Sequence, residues 1–143
     1  MTDLVSEEQV CAVPGRHIQD HTLLVRELIA YANHKGTPLY IISLDQEKAF
    51  DRVDWDFMFQ VLTRLGIPKT FIKAVRPLYS NPISMVNVNG HMTDPIPIKR
   101  GVRQGCPLSK FLYALVAETI GLAIQNDSTI VGADVSGSRK VAK

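Results

Sequence analysis

The sequence predicts a single α+β domain, and three observations carry that reading. Long segments with apolar residues at helical spacing stand beside short segments that alternate, or run apolar, like strands. An Asn89-Gly90 pair, a strong short-range hairpin signal, falls between two of the strand-like segments. Helices and strands do not alternate regularly, which argues against a doubly wound parallel sheet. The 143 residues, 45% of them hydrophobic, are enough for one packed core. No internal repeat or low-complexity block divides them.

Taken in order, residues 1–15 are weakly patterned, and Pro14-Gly15 closes them as a turn. Leu24, Leu28 and Tyr31 then recur at helical spacing, with Asp20 as the expected N-cap and Gly36 as the terminator. His17 and His21 have the spacing of two metal ligands on one helical face. Without a third ligand or a neighbouring Glu, surface histidines are the plainer reading.

Pro38 breaks the pattern, and Tyr40-Ile41-Ile42 predicts a short buried strand over 39–45 with Asp45 at its end. A buried carboxylate is costly unless it is paired or bound to a metal. Asp45, with Asp51 close behind, is therefore a candidate Mg²⁺ ligand. The alternative is that Asp45 or Asp51 caps the next helix.

Asp54 is the expected N-cap of a helix over 55–65, with Phe57, Met58, Val61, Leu62 and Leu65 on its apolar face and Gly66 as its stop. Pro68 opens another helix through Phe71, Ile72 and Val75, which Pro77 ends or kinks. Ile83 to Val88 alternates as a strand ahead of Asn89-Gly90. The return strand carries Pro95 and Pro97, so it is short or lies at an edge.

The stretch from Lys99 to Lys110 holds four cations, Lys99, Arg100, Arg103 and Lys110, and no acid. Gly101 and Gly105 let the backbone approach a ligand closely, and the cations suit phosphates. A solvated basic loop explains the same residues. The net charge of +2 is too mild to decide, so the distribution of charge has to carry any nucleic-acid argument. Pro107 then starts a helix with Leu108, Phe111, Leu112, Leu115, Thr119 and Leu122 on one face, running out near Asn126.

Cys11 and Cys106 lie far apart without metal-like neighbours and read as reduced thiols of an intracellular protein. No apolar run is expected to reach the length of a membrane span, and the acidic N-terminus is unlike a signal peptide.

Asp45-Gln46-Glu47-Lys48-Ala49-Phe50-Asp51 followed by Arg103-Gln104-Gly105-Cys106-Pro107-Leu108-Ser109 is a specific pair. It resembles the reverse transcriptases of non-LTR (LINE-type) retrotransposons, and more distantly those of group II introns. The order, the separation and the intervening hairpin are similar to the family's palm, while Gln9, Pro14-Gly15-Arg16 and Asp20 resemble the end of its fingers. The resemblance covers nearly the whole chain. It implies a polymerase palm/fingers fragment with a small antiparallel sheet packed on helices, residues 1–37 ending the fingers and 38–143 forming the palm.

The same resemblance implies RNA-templated DNA synthesis from deoxynucleotides by Mg²⁺-dependent phosphoryl transfer. The implied partners are an RNA template and a DNA primer, without a membrane, and the implied residence is nuclear. Asp45 matches the first catalytic carboxylate, which holds Mg²⁺ with help from the main-chain carbonyl of Gln46. Phe50 matches the aromatic that stacks under the deoxyribose and excludes a 2′-hydroxyl. Gln104 and Gly105 match the loop that contacts nucleotide and template; Lys99, Arg100, Arg103 and Lys110, read from their charge alone, are the candidate nucleic-acid contacts. Lys110 stands where the family usually has proline.

The family's other two catalytic carboxylates come as a Tyr/Phe-Ala-Asp-Asp hairpin. The pattern that leads into it runs from Ile130-Val131-Gly132 to Lys140, but no Asp-Asp pair occurs in these residues. Two-metal phosphoryl transfer needs ions about 3.5–4 Å apart, clamped by carboxylates. One aspartate supplies part of such a clamp. Three readings follow: a palm segment completed by a partner, a non-catalytic retroelement remnant that binds nucleic acid weakly, or a small scaffold with a basic loop. The second is favoured for the 143 residues as they stand. A palm sheet without that hairpin is expected to expose strand edges and apolar faces, inviting self-association through the sheet edge.

Overall fold

The structure, a computed structural model, describes residues 4–133. The chain divides into two compact units, one formed by residues up to Gln46 and from Ala117 onward, the other by Glu47–Val116.

In the first unit, helix α1 spans Ile18–Lys35. It begins ahead of the expected cap: His17 takes the N-cap position without a side-chain bond, and Asp20 falls in the first turn, where a carboxylate favours the positive helix end. Gly36 ends it as expected, at φ 65°, donating its N–H to the Ala32 and Asn33 carbonyls. The N-terminal turns bury Val5 and Val13. They are pinned by Arg16, which donates to the Ser6 carbonyl and, at 2.6 Å, to that of Gln9. The Ser6 amide donates to the buried Glu118 carboxylate at 2.8 Å.

The strand expected over 39–45 is not formed. Residues 37–46 are irregular, and Tyr40, Ile42 and Leu44 are 87%, 82% and 77% exposed. A strand exists through its ladder, and no described strand lies alongside this segment. Its apolar, β-branched sequence is fit for a sheet, but fitness alone does not pair it.

The second unit opens with a turn over 47–52, in which the Asp51 amide donates to the Lys48 carbonyl at 2.9 Å. Helix α2, Trp55–Arg64, has Asp54 as its N-cap, the carboxylate accepting the Phe57 amide at 2.8 Å. Asp54→Ala is expected to cost about 1 kcal/mol, measured by urea unfolding followed at the helical circular-dichroism band. Met58, Val61 and Leu62 are buried as expected, while Phe57 is 45% exposed and Phe59 takes a place in the core instead.

Pro68 caps helix α3, Lys69–Val75, and the chain tightens into a 3₁₀ turn, Arg76–Tyr79, at Pro77. That follows from a ring that cannot donate into the preceding helical turn. Strands β1 (Ile83–Ser84) and β4 (Ile96–Pro97) pair antiparallel, as do β2 (Asn87–Val88) and β3 (His91–Met92). Asn89 and Gly90 both have positive φ, the requirement of a tight hairpin turn. Every strand residue is exposed. The small sheets are therefore an arm rather than a layer laid on helices.

Helix α4, Pro107–Asn126, ends where the sequence suggests. Its buried residues include Ser109, Leu112, Leu115 and Glu118, so two polar groups join the face that Leu108 and Leu122 were expected to share. By length and composition α4 could cross a membrane, contrary to the sequence expectation. Its buried leucines and the Glu118 carboxylate held by Ser6 fit a core helix better. Among the described residues, four α-helices and two small antiparallel sheets make the class α+β. Ile130–Gly132 forms no strand, and the pattern onward to Lys140 lies outside the described residues.

Candidate functional site

The two motif segments meet in the second unit through the backbone. The Val102 amide donates to the Phe50 carbonyl and the Gly101 amide to the Val53 carbonyl, both at 2.8 Å. The Trp55 indole N–H donates to the Gly101 carbonyl at 2.8 Å, so both polar groups of that peptide are engaged. Gly101 has φ 95°, and a Cβ there would lie 3.0 Å from the Asp51 Cα and carbonyl oxygen. Only glycine permits this approach. The basic loop is thereby strapped along residues 50–53.

Side chains close the strap. The Gln104 amide donates to the Asp51 carboxylate at 3.2 Å. Asp51 thus accepts from the loop instead of capping a helix. The Phe50 ring stacks on Tyr113 of α4, centroids 4.9 Å apart and planes inclined by 19°. Tyr113 and Trp55 had escaped sequence reasoning. A single tryptophan shortly after the motif, whose indole needs an acceptor when part-buried, was the available signal.

Lys99, Arg100, Arg103 and Lys110 are exposed, and none pairs with a carboxylate among the described residues. Arg52 does pair, with Glu47 at 2.6 Å, in an exposed contact of small energetic value. Gly105, at φ 80°, turns the loop into α4.

Cys106 follows at the head of α4. Its thiol is held below the ordinary range by the backbone amides of Leu108 and Ser109, with the Ser109 hydroxyl and the Arg103 charge adding to this against partial burial. Burial pushes the Tyr79 phenol up, and the neighbouring Cys106 charge reinforces the shift.

Phe50, Asp51, Gln104 and Gly105 are thus brought into one strap. Asp45 and Gln46 close the first unit and are exposed. No group of three or more His, Cys, Asp or Glu gathers among the described residues. Asp45 and the Gln46 carbonyl, the donors that the family resemblance implies, would fall short of a two-ion clamp on their own.

The family model for reverse transcriptase (RNA-dependent DNA polymerase) matches residues 1–134. An uncharacterized 149 kDa protein of transposon TX1 from Xenopus laevis is 39% identical over 118 residues, 82% of this chain and 9% of its own length. The Pol polyprotein of a type-1 R2 retrotransposable element from Popillia japonica is 32% identical over 78% of this chain, that of a type-2 element from Drosophila melanogaster 29% over 76%. The chain spans 16% and 10% of those two relatives. The chain belongs to the reverse transcriptase family, in the branch carried by non-LTR, LINE-type retrotransposable elements.

Proposed function

We propose that residues 38–143 are palm and residues 1–37 the end of the fingers of a domain whose full form copies RNA into DNA from deoxynucleotides. The observation that carries this reading is the strap. Two main-chain bonds and the Gln104–Asp51 contact bring the segment of Phe50 and the loop of Gln104 and Gly105 together, while the four cations are exposed. In this reading Phe50, backed by Tyr113, presents its ring to the sugar. Gln104 exchanges its exposed Asp51 contact for nucleotide or template. Lys99, Arg100, Arg103 and Lys110 take backbone phosphates of template and primer, which fixes position without reading sequence. In this reading Asp45 and the Gln46 carbonyl would be this chain's donors to a divalent ion, Mg²⁺ by resemblance to the family.

Those two donors do not make a catalytic centre, so the chain by itself binds primer–template and does not extend it. Primer extension on an RNA template with Mg²⁺, comparing the chain with Asp45→Asn, tests this. No extension is expected from either. Extension by the unaltered chain that disappears in Asp45→Asn would show a complete clamp and overturn the incomplete-site reading.

A further inference from the structure

Helix α2 has a second face beside the one that packs Met58, Val61 and Leu62 into the core. Asp56, Gln60 and Thr63 stand one turn apart along it, with Arg64 next in sequence. Together with Phe59 and with Arg76, where the 3₁₀ turn begins, they line a pocket of about 500 Å³ within the second unit. That is room for one small ligand.

The Arg76 guanidinium lies over the Phe59 ring, 4.4 Å from its centroid, while Phe59 itself is buried and Arg76 exposed. A guanidinium seated in this way keeps its edge donors and its outer face free for a ligand. Arg64 and Arg76 form no ion pair among the described residues, although Asp56 shares their pocket. Asp56 and Arg64 are two turns apart, about 12 Å along the helix axis. The Thr63 hydroxyl already donates to the Phe59 carbonyl at 2.7 Å, so toward the pocket it can only accept. The pocket therefore offers a cation without a counter-ion, a flat cationic face and, at the other end of α2, a carboxylate. An anion, a planar ring and N–H donors answer those three groups.

We propose that this pocket binds a guanine nucleoside monophosphate, at a site that shares no residue with the strap. Arg64 takes the phosphate through its paired donors. The guanine ring stacks on the free face of the Arg76 guanidinium. Asp56 accepts from the two adjacent N–H groups on the edge of guanine, a pair that adenine does not present. Gln60 and Thr63 meet the ribose hydroxyls. None of this depends on the polymerase reading, since the phosphate, the ring and the base edge are each met by residues outside the two motifs.

The test is isothermal titration of the full chain with guanosine monophosphate, adenosine monophosphate and inorganic phosphate, without added metal. Guanosine monophosphate is expected to bind saturably, about tenfold or more tighter than either of the others. Three variants of exposed residues, each checked for folding by circular dichroism, divide the contacts. Arg64→Gln should weaken guanosine monophosphate and inorganic phosphate alike, by about tenfold, the loss of one charged hydrogen bond. Arg76→Lys keeps the charge but removes the flat face, and Asp56→Asn removes the acceptor for the base. Both should weaken guanosine monophosphate and leave inorganic phosphate unweakened. Absence of saturable binding, equal affinity for guanosine monophosphate and inorganic phosphate, or full affinity in all three folded variants would overturn the proposal.

Discussion

Gly101→Ala is expected to destabilise the chain by about 2–3 kcal/mol, because a non-glycine residue is forced into a sparsely populated backbone region. The φ of 95° accounts for part of the strain, and the Cβ contact at 3.0 Å with Asp51 for the rest. The obstructing atoms are main chain, and the Gly101 peptide is tied to Val53 and to Trp55, so neither side can yield cheaply. Urea unfolding followed by Trp55 fluorescence measures the loss. A change under about 0.5 kcal/mol, the range of an indifferent surface substitution, would mean that the strap is not made in solution.

Leu62→Ala is expected to cost about 3 kcal/mol, through lost transfer energy and the cavity left in the core. Leu62 is 0% exposed on the buried face of α2. Leu23→Ala on α1 serves as the contrast, since Leu23 is already 52% exposed and its truncation should fall within about 0.5 kcal/mol. Similar losses for both in equilibrium unfolding would show that the α2 core is not packed as described. Against a typical domain stability of about 5–15 kcal/mol, either Gly101→Ala or Leu62→Ala is a large fraction.

What the sequence revealed and what it hid divide on physical grounds. Helix α2 was legible because Asp54, the apolar spacing of Met58, Val61 and Leu62, and Gly66 are local signals that agree. The Asn89-Gly90 turn was legible for the same reason, since its two positive φ angles are a local demand. The segment at 39–45 was misread because a strand depends on a second strand elsewhere, and Tyr40 and Ile42 cannot announce whether one is paired with them. In α4 the apolar periodicity located the helix but not its buried Ser109 and Glu118, which neighbour Tyr79 and Ser6 far away in sequence. At the site, the motif pair was visible, whereas the Gly101 contact and the Phe50–Tyr113 stack are long-range packing that no local pattern encodes.

The most direct measurement is the affinity of the chain for a labelled RNA–DNA primer–template, titrated across salt. Four phosphate contacts, from Lys99, Arg100, Arg103 and Lys110, should make log affinity fall with log salt at a slope of about −3 to −4. Changing all four to glutamine should flatten the slope toward zero and weaken binding at every salt concentration. A near-zero slope in the unaltered chain, or a steep slope that survives the four substitutions, would contradict the assignment of this loop as the nucleic-acid interface.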